Sequence, residues 1–569
     1  MRILNIKKVT VAVIVIAAVQ TACKKPLYET EPIGRDINYT FDVLDSIGTQ
    51  AEGFLTDIYA SGIPRGYNRI ANDVLDAGSD DAVSSASSTQ IERFLTGQIS
   101  PVNVVDGVWE NSYSTIRKVN IFLANIDKVP HKDPQVITFW KTEARLLRAI
   151  AYFEMIKRYG GVPMIGDKVL TVDDDLELAK NSYEECVEYI VKECDEVIPL
   201  ARPIIVAENN GDYGRLHKGV AYALKARVLL YAASKLNNPS NDAGKWARAA
   251  QASKDLIDLN IYALDPIYLN VFVGISPEVI LSRTASPNSN LETLNAPIGY
   301  TGTVESSGRT SPTQELVDAF GMVNGKAIKE AGSGYNPASP YDNRDPRFYH
   351  TIFFDGVYWL NRPIETFDGG LDRPVPAKNV QTRTGYYMRK FLWDGYNGAG
   401  ARPTQYIEIN HNFPVFRYAE VLLNYAEAIN EAANNASNRQ EAINQLIALR
   451  ERAGIAKGST PGYDYGLKLA MNQAELREAI RNERRVEMAF EEQRFWDIRR
   501  WKIAEEVLNG SLHGVRITKT GTGASAVYSY DFNDEVLKVN FEPKMYHYPF
   551  PLSEILKNQN LIQPEGWQN

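Results

Sequence analysis

Residues 483–501 read Glu483-Arg484-Arg485-Val486-Glu487-Met488-Ala489-Phe490-Glu491 and, two residues further on, Arg494-Phe495-Trp496-Asp497-Ile498-Arg499-Arg500-Trp501. The surrounding window, 473–506, predicts a helical stretch. On such a helix Glu483 and Glu487 share a face at four-residue spacing, Arg484 can pair with neighbouring carboxylates, and Phe490 packs inward. Arg494, Asp497 and Arg500 recur every three residues. Faces this rich in charge are either solvated or paired with another helix, and neither case calls for catalysis.

The same periodicity extends outward from this stretch. Val220, Ala223, Leu224, Arg227, Val228 and Tyr231 fall on one stripe at three-and-four spacing, and Tyr418, Val421, Leu422, Tyr425, Ala428 and Ile429 repeat the pattern. Both stripes predict a face turned to a core. Further helical stretches are expected at 105–128, 136–158, 182–198, 243–259 and 438–452, separated mainly by short breaks. Taken in pairs they read as helical hairpins of the tetratricopeptide type. Between 260 and 412 the character changes to Pro, Gly, Asn and aromatic residues with weak helix periodicity, except near Pro312 to Phe320. The fold expected is therefore mostly α. A tetratricopeptide-like helical-hairpin scaffold, in two parts at 41–259 and 413–569, carries an inserted, irregular, loop-rich lobe at 260–412 that displays the functional residues.

The first residues read as an address. Arg2, Lys7 and Lys8 precede an uncharged apolar run from Val9 to Val19, too short to span a bilayer comfortably, and Gln20-Thr21-Ala22-Cys23 follows. Small residues before a cysteine predict a signal peptide over 1–22 and a lipidated tether over 23–40, with Cys23 acylated. Gln20 stands where such sites usually carry Leu, and a plain cleaved signal is the alternative. Several acyl chains would anchor the chain firmly to a membrane.

The formal net charge of −8 over 569 residues gives no electrostatic reason to expect nucleic acid as a partner. Three cysteines are too few for a disulfide framework. On one helix Cys186 and Cys194 would stand about 12 Å apart, beyond bridging distance. No HExxH, GxSxG, P-loop or GxGxxG pattern occurs, and six scattered His offer no close-spaced metal set, so neither metal nor cofactor is expected. Asp173-Asp174-Asp175 lacks the spaced oxygen ligands of a calcium loop and reads as a solvated acidic turn. A glycan binder needs flat aromatic faces flanked by hydrogen-bonding side chains. The lobe offers Tyr358-Trp359-Leu360-Asn361-Arg362, Tyr386-Tyr387 and Trp393-Asp394-Gly395-Tyr396-Asn397. Packing within the lobe is the alternative use for each ring.

The motif at 483–501 resembles the SusD/RagB family of outer-membrane nutrient-binding lipoproteins. Further stretches carry the likeness: Arg417-Tyr418-Ala419-Glu420-Val421-Leu422-Leu423-Asn424-Tyr425-Ala426-Glu427-Ala428, Glu143-Ala144-Arg145-Leu146-Leu147-Arg148-Ala149 leading to Tyr159-Gly160-Gly161-Val162-Pro163, Gly214-Arg215, Asp345-Pro346-Arg347 and Tyr548-Pro549-Phe550-Pro551. The resemblance implies a non-catalytic surface lipoprotein facing the cell exterior. Such a protein binds an oligosaccharide and delivers it to a SusC-like TonB-dependent transporter, with peptide as the alternative ligand. A surface glycosidase and a structural helical-repeat adaptor are the readings from other classes. The resemblance also implies a pocket between an early loop and the lobe. The candidates for it are Asp80 and Asp81, in a Ser-rich loop expected to be exposed, with Tyr300, Tyr358, Trp359, Arg362, Trp393 and Tyr396.

Overall fold

The computed structural model describes residues 37–205, 214–300, 308–377, 380–396, 398 and 400–568. The expected signal, Cys23 and the tether as far as residue 36 lie outside the described residues. Ten helices of eight residues or more frame the described part: α1 Thr49–Gly62, α2 Trp109–Asn125, α3 Pro134–Tyr159, α4 Tyr183–Val197, α5 Lys218–Ala233, α6 Ala243–Ile257, α7 Tyr418–Ala432, α8 Ala436–Ala453, α9 Gln473–Glu487 and α10 Gln493–Arg500. From α2 to α8 each helix packs against its predecessor, and α9 packs on both α7 and α8. The stripe read from the sequence on α5 is buried throughout. On α7 Val421, Leu422, Tyr425 and Ala428 are buried, with Tyr418 and Ile429 packed partly exposed against the core. None of the helices among the described residues is long and apolar enough to cross a membrane.

Local chemistry sets the helix ends. Asp133 accepts a hydrogen bond from the Gln135 amide at 2.9 Å, Pro134 begins α3, and Gly160 ends it at a φ of 75°. At α4 the Glu185 amide donates to Ser182 Oγ at 3.2 Å while the Ser182 amide donates to Glu185 Oε2 at 2.7 Å, a complete capping box. Ser182→Ala is expected to destabilise the protein by about 0.5–2 kcal/mol, read as a lower urea midpoint at unchanged slope. An unmoved midpoint would show that the cap carries nothing. Cys186 and Cys194 on α4 are free and buried, and burial pushes the Cys186 thiol up to about 11, so it is inert as a nucleophile at neutral pH.

The lobe leaves the stack after α6 and returns at α7, yet α6 and α7 pack directly on each other. The strand Val279–Arg283 pairs antiparallel with Phe413–Arg417, so the outgoing and returning chain are zipped together at the base of the lobe. Inside the lobe the strands are short. Ile352–Phe353 pairs with Tyr387–Met388, Tyr358–Trp359 with Arg362–Pro363, and Thr310–Pro312 reaches back to Ala82–Ser84 in the first part of the chain.

Two expectations are corrected here. The helical stretch read over 473–506 is interrupted: α9 ends at Glu487, Phe490 and Glu492 take left-handed φ angles of 62° and 61°, and α10 begins at Gln493. Lys390 Nζ donates to the carbonyls of Glu487 at 3.1 Å and Ala489 at 2.8 Å, and Arg417 Nη2 donates to the Glu487 carbonyl at 2.9 Å. Two cations on carbonyls freed at a helix C-terminus offset the backbone strain of the bend. The scaffold part at 413–569 is also not helical throughout. It contains a long antiparallel hairpin, Gly510–Thr520 with Val527–Val539, one face of which packs on the core through Leu512, Val515 and Ile517.

Candidate functional site

The acidic groups at 483–491 are not solvated but paired inside the protein. Glu483, Glu487 and Glu491 are buried and meet cations from four other segments. Glu487 binds Arg347 at 3.0 Å, Arg417 at 2.8 Å and Arg452. Glu483 binds Arg347 and Arg450, each at 2.7 Å, and Glu491 binds Lys390 and Arg417, each at 2.6 Å. Asp345 pairs with Arg347, and Glu278 with both Arg417 and Arg452. Five carboxylates and five cations thus form one balanced buried network. It joins α9 and the bend after it to α8 and to the lobe segments holding Glu278, Asp345, Arg347 and Lys390. The motif fastens the lobe to the scaffold.

Asp80 and Asp81 belong to a similar structural contact, and their expected exposure is corrected. Both are buried. Arg494 donates to both oxygens of Asp80 at 2.8 and 2.7 Å, and Arg485 donates to Asp81 Oδ1 at 2.7 Å. Burial pushes the Asp80 carboxyl up, but Arg485 and Arg494 more than reverse this and hold it low. Asp81 is raised by burial, with Asp80 beside it acting in the same direction. Their partners lie some four hundred residues downstream, which no local pattern announces.

The remaining candidates gather on the lobe. In the hairpin Tyr358–Trp359/Arg362–Pro363 alternate side chains point to opposite faces. Tyr358 is therefore 53% exposed while Trp359 is 1% exposed. Trp359 packs edge-on against Tyr300 at 5.0 Å, beside Phe353 at 5.3 Å, and stacks with Tyr406 at 6.0 Å. Arg362 lies over the Tyr300 ring at 3.7 Å and is held in place by Asp372 through hydrogen bonds of 2.8 and 3.0 Å. Tyr300 Oη donates to the Arg362 carbonyl at 2.8 Å. Trp393 and Tyr396 are partly exposed. The Trp393 amide donates to Glu292 Oε1 at 3.1 Å, and the other oxygen of Glu292 meets His411 Nε2 at 3.0 Å.

One side chain the sequence reading missed ties these rings together. Arg402 lies 4.1 Å over Tyr396 and 5.5 Å over Tyr358, with Asp394 at 3.8 Å. It sits in a segment of Gly, Ala and Pro without periodicity, so only its charge marked it. The lobe surface thus offers an exposed and a partly exposed tyrosine ring, Tyr358 and Tyr396, bridged by a guanidinium, with Trp359, Tyr300 and Tyr406 packed together beside them. Flat apolar faces ringed by fork-shaped donors suit a polar ligand with apolar faces, which sugar rings are. Among the described residues no group of three or more His, Cys, Asp or Glu could hold a metal ion.

A stack of helical hairpins presenting an aromatic, arginine-bearing lobe defines a class of binding proteins in which the scaffold positions the surface. The chain belongs to the SusD family: the pattern described as SusD family matches residues 277–567, and one described as starch-binding associating with outer membrane matches residues 49–230. As a member it is a non-catalytic glycan-binding protein associated with the outer membrane. It is 25% identical over 512 residues to SusD-like protein P2 of Formosa agariphila, covering 87% of this chain and 86% of that one. A SusD-like protein of Bacteroides fragilis NCTC 9343 superimposes with a TM-score of 0.73 at 28% identity, over 92% of this chain and 97% of the other. A SusD-like carbohydrate binding protein of the same organism shares the fold with a TM-score of 0.71 at 24% identity, over 90% and 99% of the two chains.

Proposed function

We propose that the protein captures an oligosaccharide at the outside of the outer membrane and delivers it to a SusC-like TonB-dependent transporter, held to the membrane by acylated Cys23. The observation that carries this is the surface made by Tyr358, Tyr396 and Arg402 on the inserted lobe, with Arg362 fixed over Tyr300 beside it. The carbohydrate-binding description of the Bacteroides fragilis relative supports the ligand class. The division into a scaffold in two parts at 41–259 and 413–569 and a lobe at 260–412 supports the roles: a rigid frame for the membrane and the partner, a loop surface for cargo. Trp393 contributes from the rim, where its ring remains partly exposed. Asp80 and Asp81 are not offered to the ligand.

Calorimetry of the purified protein with oligosaccharides and with peptides tests the proposal. Saturable binding of at least one oligosaccharide is expected, weakened roughly five- to tenfold by Tyr396→Ala with the melting temperature unchanged. Binding of peptides alone would reject the glycan. Failure to co-purify with a transporter encoded beside it would reject the delivery step.

A further inference from the structure

Among the described residues, most buried arginines are answered by carboxylates or carbonyls. Those of the network around Glu487 each hold a carboxylate. Arg344, without a carboxylate, donates to the carbonyls of Gly321, Pro340, Val317 and Phe320 at 2.6–3.3 Å. Arg499 donates to the Phe495 carbonyl at 2.8 Å and is sealed against the rings of Phe495 and Phe541, 2% exposed, where no ligand can reach it.

Arg389 differs from both. It follows the strand Tyr387–Met388, and its guanidinium lies 5.3 Å from the Phe353 ring, which in turn packs on Trp359. Its side chain has no hydrogen-bond or ion-pair partner among the described residues, while the residue remains partly exposed. Burial depresses its pKa; Asp394 acts in the opposite direction and Arg402 in the same one. His350 on the other side is pushed down to about 4, by burial first and then by Arg389, so it stays neutral and supplies no second cation at pH 7. Asp394, the carboxylate that faces this pair, lies 3.8 Å from Arg402 and is not within 4.0 Å of Arg389. Two guanidiniums therefore share one loosely held carboxylate at the edge of the Tyr358–Tyr396 surface. A partly desolvated cation with no carboxylate in direct contact is costly, and the fork geometry of arginine matches a planar or tetrahedral oxyanion.

We propose that Arg389, with Arg402 beside it, receives an anionic substituent of the glycan, a uronate carboxylate or a sulfate ester, so that the cargo is an acidic oligosaccharide. This rests on the glycan-binding surface proposed above and adds its charge.

The test compares neutral oligosaccharides (malto- and xylo-oligosaccharides) with oligogalacturonides and with carrageenan oligosaccharides, by calorimetry on the full chain. At least one acidic set is expected to bind more tightly than the neutral ones, with affinity falling as salt is raised. Arg389→Gln is expected to weaken that acidic binding about ten- to hundredfold and to leave any neutral binding and the melting temperature unchanged. Arg389→Lys, which keeps the charge and loses the fork, should fall between. Carboxyl-reduced and desulfated forms of the bound oligosaccharide identify which anion is read. Equal or tighter binding of the neutral set, or acidic binding indifferent to Arg389→Gln, overturns the inference while leaving the glycan-binding surface standing. Absence of binding by every saccharide overturns that surface as well.

Discussion

Replacing Glu487 by Gln is expected to lower the stability of the folded protein by about 3–5 kcal/mol, because removing one member of a buried ion pair leaves its partners uncompensated. Gln keeps the volume and an acceptor oxygen, so the loss comes from charge. Arg347, Arg417 and Arg452 converge on this one carboxylate, and the balanced network of five and five becomes one of four and five. The double variant Glu487→Gln with Arg452→Met restores balance and should recover part of the loss, since a neutralised buried pair is often tolerated. Unfolding in urea followed by tryptophan fluorescence reads both. A loss below about 1 kcal/mol, typical of an exposed pair, would show that the network is solvated after all.

This network and the other buried ion pairs, Glu420 with Arg227, Glu427 with Arg500 and Asp106 and Glu154 with Arg158, set an acid limit. Burial alone would raise Glu483, Glu487, Glu420 and Glu427, but the arginines beside them hold all four below the ordinary carboxylate range. Asp106, between Arg158 and Arg69, and Glu154, between Lys157 and Arg158, are each held at about 2 against burial in the same way. A carboxyl whose folded pKa is depressed stabilises the fold fully above its unfolded pKa, about 4, and loses that contribution as pH falls toward the folded value. Asp355, raised to about 6 by burial, works in the opposite sense, gaining a proton in the folded state as pH falls from 6 to 4. Acid loss of stability is therefore expected to begin below about pH 6.5, where His217, His350 and His547, which burial holds down at about 4, take up protons on unfolding, and to steepen below about pH 4, where it is shallower in Glu487→Gln.

How much of this was legible depends on where the partner of each residue lies in the chain. The stripes at 220–231 and 418–429 could be read because three-and-four spacing is local, and both helices formed with those faces inward. The break after Glu487 could not, because neither Gly nor Pro marks it; Phe490 and Glu492 are bent by Lys390 and Arg417, which arrive from the lobe. Helix α1 begins on Gly48 without a side-chain cap and left no signal at its start. The hairpin at 510–539 had a period-two signal in Tyr528, Tyr530 and Phe532 that the emphasis on helices passed over. In the candidate site, clustering of aromatic and polar residues picked out side chains that do stand together, Tyr300 with Trp359 and Arg362, while polarity misjudged Asp80 and Asp81. Serines flanking them suggested solvent; Arg485 and Arg494 supply something else.

Tyr358 and Trp359 show the same limit within a single dipeptide. Trp359→Ala is expected to cost about 3–5 kcal/mol, the price of deleting a fully buried indole, since its ring holds together Tyr300, Phe353 and Tyr406. Its indole N–H has no acceptor among the described residues, so Trp359→Phe should retain most of the stability: the apolar contacts stay and an unanswered donor goes. Tyr358→Ala removes a ring 53% exposed and is expected to leave the urea midpoint nearly in place while weakening glycan binding. Any binding lost in Trp359→Ala should return in Trp359→Phe, because the tryptophan acts through the rings it supports. Were Trp359→Phe stable but unable to bind, the indole itself would have to reach the sugar, and the hairpin would have to turn its two faces over to let it.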